Sequence, residues 1–448
     1  MKKKVAFITL GCKVNQYETN AMIEQFMENR YEIVESTEKS DIYVVNTCTV
    51  TNMSDRKSRQ MLRKVKELNR NSIVVACGCY AQVAKEELEK IEEIDIIIGN
   101  NEKKDIINIV EEFLNSIDSN IESDLSLKYS KVEEILNQKE FVDFGEVSYT
   151  DKTRAVIKVQ DGCDRYCTYC IIPYARGRVR SRKPESIISE IKKISNTGIK
   201  EVVITGIHIA SYGKDFKEEY RLIDLLEEIN KIDNIKRIRL GSIEPLLITK
   251  EFIQRLKKLD KICEHLHLSI LSGSDETLKR MNRRYITKDW EEVVNLLRKT
   301  YKDVVLTTDI IVGFPDESEK EFEETYKFLE KIKLYKLHVF KYSPRKGTKA
   351  ANIKNQIDGN EKEKRSKLLL ELSNKYELMY NEENVGKEHE ILIEEEKDGY
   401  YVGHTKNYIL AKCEIENTKQ EKINELENEI VKVKCISWNK EAIIVRKV

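Results

Sequence analysis

Proline and glycine are scarce in this chain of 448 residues, at 5 and 17. That scarcity excludes collagen-like, Pro-rich and Gly-rich low-complexity architectures. Net charge is missing too: 78 lysines and arginines balance 78 aspartates and glutamates, so overall charge says nothing about a nucleic-acid partner. No apolar run approaches the ~20 residues of a membrane span. The stretch Val5 to Leu10 behind Met-Lys-Lys-Lys is too short for a signal peptide and runs straight into Gly-Cys-Lys-Val-Asn-Gln without a cleavage site. These absences predict a soluble, cytoplasmic protein of two to four domains. The six histidines (208, 265, 267, 338, 389 and 404) mostly flank strand-like runs and show no ligand spacing. Cysteine is what the chain does have: ten of them, which in a reducing compartment read as metal ligands or core residues rather than disulfides.

Three cysteines lie within one short loop, Cys163-Asp-Arg-Tyr-Cys167-Thr-Tyr-Cys170, directly after the strand-like run Ala155–Gln160. No fourth cysteine or histidine stands nearby to close a tetrahedral zinc site, and structural zinc wants four protein ligands. Three thiolates suit a 4Fe-4S cluster with one iron left open for a small molecule; a three-cysteine zinc loop is the alternative. The spacing, with the aromatic Tyr169 before the last cysteine, resembles the signature of the radical S-adenosylmethionine (SAM) enzymes. In that family the open iron chelates SAM, and an electron from the cluster cleaves it to methionine and a 5′-deoxyadenosyl radical.

Up to about residue 145 the pattern alternates β-branched runs (Lys4–Leu10, Ile42–Asn46, Ser72–Ala76, Asp95–Ile98) with amphipathic stretches such as Tyr17–Asn29 and Ser54–Asn69. Such alternation predicts an α/β doubly wound parallel sheet, whose functional loops follow the carboxyl ends of the strands. The first three of those loops each carry a cysteine: Cys12, Cys48 and Cys79. Together they form a second candidate three-ligand site, against the alternative of coincidental buried cysteines. Residues 116–150 are polar and read as a linker after a first domain over 1–115. A second series follows, Ala155–Val159, Glu201–Thr205, Arg237–Leu240, His265–Ile270, Val304–Ile311 and Lys336–Phe340. These six β/α units predict a partial barrel over 151–358 with its chemistry at the C-terminal mouth. A helix over 359–384 leaves the barrel. Residues 385–448 then read as five short strands (Glu390–Glu394, Tyr400–Val402, Ile409–Ile415, Glu429–Ile436, Ala442–Val445) and so as a small all-β barrel. Its eleven basic and thirteen acidic residues make no basic patch.

The order of these motifs resembles the radical SAM methylthiotransferases over essentially the whole chain. The carriers are Thr9-Leu-Gly-Cys12-Lys-Val-Asn-Gln16, Asn46-Thr-Cys48-Thr-Val, Gly78-Cys79-Tyr-Ala-Gln82, and Cys163–Cys170 continuing into Ile171-Ile-Pro-Tyr-Ala-Arg-Gly177. The resemblance implies two 4Fe-4S clusters: a SAM cluster on Cys163, Cys167 and Cys170, and an auxiliary cluster on Cys12, Cys48 and Cys79. It implies that the last domain is a TRAM-like RNA-binding barrel centred on Gly403-His-Thr-Lys-Asn-Tyr408. SAM contacts are implied for Tyr169, Gly206, Ser242 and Glu244, turn geometry being the alternative for the last three. Cys77 competes with Cys79 as a ligand, and the family block favours Cys79. Cys77, Cys263, Cys413 and Cys435 otherwise read as buried apolar residues.

Within the family, Asn52-Met-Ser-Asp-Arg-Lys-Ser-Arg59, Ile171–Arg178 and His265-Leu-His-Leu-Ser look closest to the subgroup that methylthiolates carbon 2 of N6-threonylcarbamoyladenosine at tRNA position 37. Sister groups act on isopentenyladenosine at the same position or on a ribosomal-protein aspartate; a metal-binding RNA interaction protein is the non-enzymatic alternative. The implied partners are the tRNA anticodon loop and an electron donor such as flavodoxin or ferredoxin, with the enzyme a monomer. Arg176, Arg178, Arg180 and Arg182 follow the SAM loop and are candidates for phosphate contact, a solvated surface being the alternative. Lys279-Arg-Met-Asn-Arg-Arg284 is a second basic candidate. Two departures stand out: Leu271 where relatives have glutamine in Leu-Gln-Ser-Gly, and Lys341 in place of a usual proline.

Overall fold

Six parallel strands build the first unit: β1 (Lys4–Thr9), β2 (Glu32–Val34), β3 (Ile42–Thr47), β4 (Ile73–Gly78), β5 (Ile96–Ile98) and β6 (Tyr129–Lys131), ordered β2-β1-β3-β4-β5-β6. The computed structural model describes residues 2–118, 128–150, 152–414 and 426–448. Every residue of β3 and β4 is buried, which is why both read as unbroken β-branched runs: helices cover both faces. Leu62 and Val65 of the helix Asn52–Leu68 seal one face, and Met22 and Phe26 of the helix Lys13–Glu28 pack on the other. The sequence pattern predicts neither β2 nor β6, because three-residue edge strands are too short to show a period. β6 comes from the predicted linker, so that segment is not irregular throughout; its residues 119–127 lie outside those described.

The second unit holds β7 (Arg154–Asp161), β8 (Arg180–Ser181), β9 (Glu201–Gly206), β10 (Arg237–Leu240), β11 (His265–Leu271), β12 (Val305–Val312) and β13 (Lys336–Lys341). β7, β9 and β10 pair in parallel with β8 antiparallel on the edge, and β11, β12 and β13 form a second parallel arc. Two parallel bridges, Ile238 to Ile262 and Ile243 to Leu268, join the arcs. Six parallel strands in chain order thus make the predicted partial barrel, its helices packed outside through residues such as Ile187, Leu226, Trp290 and Leu329.

The helix Gly359–Glu383 lies against β13 and leads to β14 (Glu388–Lys397), β15 (Tyr400–Thr405), β16 (Leu410–Glu414), β17 (Ile430–Trp438) and β18 (Ile443–Lys447), a closed barrel ordered β14-β15-β16-β18-β17. Ile415, the predicted end of β16, falls outside the described residues. The Gly403–Tyr408 motif faces inward, toward the larger barrel. Tyr408 stacks on His404 at 4.5 Å and lies under the guanidinium groups of Arg239 and Arg154, while Arg237 donates to the carbonyls of Glu390 and His404. This motif docks the small barrel onto the amino ends of β7, β10 and β11.

Candidate active site

The Cys163–Cys170 loop leaves the carboxyl end of β7 and is tied at both ends. The Cys163 amide donates to the Gly177 carbonyl at 3.0 Å, and Thr168 donates through its amide to Met281 and through its hydroxyl to Arg280. Arg283 donates Nη1 to Cys167 Sγ at 3.0 Å and Nη2 to Glu244 Oε1 at 2.9 Å. Arg165, inside the loop, reaches Glu244 at 2.6 Å, and His208 Nε2 lies 2.9 Å from the same carboxylate. Burial opposes the Glu244 charge, but the hydrogen bond and charge of His208, with Arg283 and Arg165, hold its carboxyl down at about 2. Glu244 is therefore a fixed anion that orients the two arginines around the thiols. Ser242 is exposed, and Gly206 ends β9 beside it. Tyr169 packs edge-on against Phe314, beside Leu271 and Tyr342.

The second triplet is assembled by the sheet. Cys12 caps the helix Lys13–Glu28 after β1, Cys48 follows β3, and Cys79 opens the helix Cys79–Val83 after β4. These three strands are adjacent, so their following loops meet at one edge. Two glycines make the approach possible. Gly11 has φ +97° and a Cβ there would lie 2.8 Å from Cys48 Sγ; Gly78 has φ +96° and a Cβ would lie 2.5 Å from the Thr47 carbonyl. Arg176 Nε donates to Cys79 Sγ at 3.2 Å. Cys77 points into the apolar core on the opposite face, its thiol 3.6 Å from the Val45 carbonyl. Cys12 is exposed and lines an open cavity of about 270 Å³ with Lys13, Arg239 and Tyr408.

Burial pushes the thiols of Cys48 and Cys163 up to about 11 and that of Cys170 to about 12. Such thiols keep their protons at neutral pH unless a metal takes the sulfur. Among the described residues, no three His, Cys, Asp or Glu side chains converge on one ion-sized point. A 4Fe-4S cluster takes one thiolate per iron, whereas a closed zinc site takes four ligands on one ion. All-sulfur donors, triplets without a fourth ligand and glycine-cleared loops fit two 4Fe-4S clusters.

A cavity of about 260 Å³ lies between the end of the Cys163–Cys170 loop and the loop that follows Cys48. Val50 and Thr51, just after Cys48, form one wall; Tyr169, Cys170 and Ile171 form the other; Leu271, Ile311 and Lys341 close it from the barrel. Both residues that depart from the family pattern face this space. Leu271 sits at a β-bulge with φ +70°. Lys341 pairs with Glu363 at 2.6 Å. Arg345 fastens the Val50–Thr51 wall to the barrel, donating to Asn52, Thr49 and Asp55 at 2.7, 2.7 and 2.5 Å, and the Asn52 amide donates to Ser343.

The arginine run behaves differently from the phosphate-contact expectation. Arg176, Arg180 and Arg182 are fully buried. Arg176 pairs with Glu18 and reaches Asp161 at 3.3 Å; Arg180 donates to Asn101 and to the Arg176 carbonyl; Arg182 pairs with Glu190 at 2.7 Å and Asp143 at 3.0 Å. Guanidinium forks satisfy buried carboxylates here, and no phosphate can reach them. Only Arg178 is exposed. Of the second basic run, Arg283 turns in to the thiols and Arg280 pairs with Glu321. Sequence reasoning missed Arg165, His208 and Arg345 as site residues. For His208 there was a signal, its place two residues after Gly206; Arg345 has none, because its partners lie nearly 300 positions away.

Two family models match the chain: the radical SAM superfamily over residues 157–329 and the uncharacterized protein family UPF0004 over residues 4–99. The threonylcarbamoyladenosine tRNA methylthiotransferase MtaB of Bacillus subtilis (strain 168) is 40% identical over 411 residues, 90% of this chain and 89% of the relative. The chain belongs to the radical SAM methylthiotransferases. As a member it is an enzyme that uses SAM and 4Fe-4S clusters. MtaB of Aquifex aeolicus (strain VF5) is 41% identical over 92% of this chain and 97% of its own, and the ribosomal protein uS12 methylthiotransferase RimO of Clostridium novyi (strain NT) is 36% identical over 90% and 89%. Among solved structures, the radical SAM methyltransferase TsrM from Kitasatospora setae shares the fold, with a TM-score of 0.52 and 13% identity over 77% of this chain and 74% of its own.

Proposed function

We propose that this chain adds a methylthio group to carbon 2 of N6-threonylcarbamoyladenosine at position 37 of tRNA. One 4Fe-4S cluster would be held by Cys163, Cys167 and Cys170 and a second by Cys12, Cys48 and Cys79. The observation that carries the reading is the cavity walled on one side by Cys170 and on the other by the residues after Cys48. It supports a target base placed between a radical source and a sulfur carrier. When bound, these cofactors supply a carbon radical able to break an unactivated C–H bond and a place to hold sulfur. The chain's own residues do the rest. Arg283 and Arg165, oriented by Glu244, fix the loop thiols; Arg176 fixes Cys79; Tyr169, Ile171, Leu271 and Ile311 keep the cavity apolar and exclude water. The named MtaB relatives favour threonylcarbamoyladenosine, over the dimethylallyladenosine and uS12 of other relatives.

The same reading divides the chain into an auxiliary-cluster domain over 1–115, a connecting segment over 116–150, the SAM barrel over 151–358, a helix over 359–384 and an RNA-binding barrel over 385–448. It places a monomer in the cytoplasm, served by a flavodoxin or ferredoxin; among the described residues no helix is long and apolar enough to cross a membrane. The test is mass spectrometry of nucleosides from tRNA of a strain lacking the gene. The reading requires loss of 2-methylthio-N6-threonylcarbamoyladenosine, restored by the intact gene but not by Cys163→Ala. Loss of the isopentenyl analogue instead, or an unmodified uS12 aspartate with unchanged tRNA, would reassign the substrate.

A further inference from the structure

With the arginine run buried, the balanced charge of the chain leaves open where an RNA backbone could lie. One element is strongly unbalanced. The helix Asn52–Leu68 carries Arg56, Lys57, Arg59, Arg63, Lys64 and Lys66 against Asp55 and Glu67. Its buried face is Asp55, Ser58, Leu62 and Val65, packed on the sheet. At 100° per residue Arg56, Lys57, Gln60, Arg63 and Lys64 fall on the opposite, solvent face as one stripe, and the four cations are exposed. Lys66 and Arg59 are engaged elsewhere, with Asp95 and the Tyr80 hydroxyl. Arg56, Lys57, Arg63 and Lys64 take part in none of the ion pairs or hydrogen bonds formed among the described residues, which contain 37 ion pairs in all. Other exposed lysines on helices, such as Lys288, Lys320 and Lys327, pair with a glutamate one turn away. Here two pairs of cations stand two turns apart, about 10 Å along the axis, and even Glu67, one turn on from Arg63 and Lys64, is paired with neither.

Position adds the second observation. Thr51 caps this helix by accepting from the Ser54 amide, and Val50 and Thr51 are also a wall of the cavity beside Cys170. The Asn52 amide bond to Ser343 and the Arg345 contacts pin that end of the helix to the barrel. Val50 is 49% and Met53 68% exposed, as is Phe340 at 47% across the cavity mouth, so apolar surface for a displaced base adjoins the cationic stripe. We propose that Arg56, Lys57, Arg63 and Lys64 form the track on which the phosphate backbone of the RNA stem-loop lies while its target base enters the cavity. The inference rests on the reading that the substrate is RNA.

Binding of the reconstituted holoenzyme to a synthetic anticodon stem-loop, measured across salt concentrations, tests it. For the wild type log K should fall steeply with log[salt]. The variant Arg56→Gln/Lys57→Gln/Arg63→Gln/Lys64→Gln should flatten that slope by about 3, at roughly 0.7–0.9 per lost phosphate contact, and raise KM for the RNA at least tenfold. SAM cleavage without RNA and iron content should not change. Arg56→Lys/Arg63→Lys should keep the wild-type slope, since it keeps the charge. An unaltered slope and KM in the quadruple variant would overturn the inference while leaving the tRNA reading intact. A wild type that binds no stem-loop would overturn both, and binding to the ribosomal protein instead would move the track to another macromolecule. If the quadruple variant loses iron, the pairs Arg56→Gln/Lys57→Gln and Arg63→Gln/Lys64→Gln are measured separately, each expected to flatten the slope by about half as much.

Discussion

The two cysteine triplets solve one problem in opposite ways. Cys163, Cys167 and Cys170 sit on eight consecutive residues, so the loop itself sets their spacing and the barrel only has to present it. Cys12, Cys48 and Cys79 are spread over three loops and converge only because β1, β3 and β4 are neighbours. The first site is local and the second is a product of topology. A local site should survive damage to the sheet, and a topological site should fail when any one of its loops moves.

The largest effect should come from the local site. Changing Cys163, Cys167 and Cys170 to alanine should lower iron from about eight to about four per chain after anaerobic reconstitution, since each cluster holds four irons, and abolish SAM cleavage and methylthiolation together. Stoichiometric zinc without iron–sulfur absorbance would overturn the assignment of both sites. Cys79→Ala should separate the two functions: methylthiolation disappears, iron drops by the same half, and reductive SAM cleavage persists. Its neighbour Cys77 faces the opposite core, so Cys77→Ala should keep both clusters and lose only about 1 kcal/mol of stability through a small cavity. Reversed phenotypes for these two would show that the ligand is the other thiol.

Gly78→Ala tests whether topology rather than sulfur chemistry holds the second site. It alters no thiol, but it places a Cβ 2.5 Å from the Thr47 carbonyl at φ +96°, a strain of about 1–3 kcal/mol before the clash is counted. Iron should again fall toward about four per chain, with SAM cleavage retained. Full iron content in this variant would mean that the loops have more freedom than the sheet suggests. A smaller effect on chemistry and a larger one on stability is expected at Arg176. Arg176→Gln leaves Glu18 and Asp161 with fewer cations in a buried network and should cost about 3–5 kcal/mol, whereas exposed Arg178→Gln should stay within about 0.5 kcal/mol. Thermal unfolding of the reconstituted proteins reads both.

The same contrast explains what was legible in the sequence. The local triplet is visible as a spacing, and the long strands as β-branched runs. The topological triplet is visible only after strand–helix alternation has fixed the carboxyl ends of the strands. What stayed hidden depends on distant pairing. Arg176 and Arg182 read as surface cations because Glu18 lies 158 positions from the former and Glu190 is brought in by a helix; hydropathy carries no record of which charges will be buried together. Arg283 likewise looks like part of a basic run until the fold turns it toward Cys167. The Gly403–Tyr408 motif was recognisable, but its role in docking the small barrel follows from Arg239 and Arg154, which the sequence places far away.

The smallest effect expected lies in the cavity between Cys170 and the loop after Cys48. Leu271 is held at φ +70°, where an L side chain with a Cβ is strained by roughly 1–2 kcal/mol, and it is buried against Phe314 and Tyr342. Leu271→Ala loses that burial and keeps the strain. Leu271→Gly loses slightly more burial but releases the strain. Elsewhere in a strand glycine is the worse choice by about 0.5–1 kcal/mol; here the order should invert, with Leu271→Gly about 1 kcal/mol more stable than Leu271→Ala. Neither change touches a thiol, so both variants should keep both clusters. If alanine proves the more stable, the left-handed turn at the end of β11 is not imposed by the surrounding structure, and Leu271 owes its place to the apolar wall it gives the cavity.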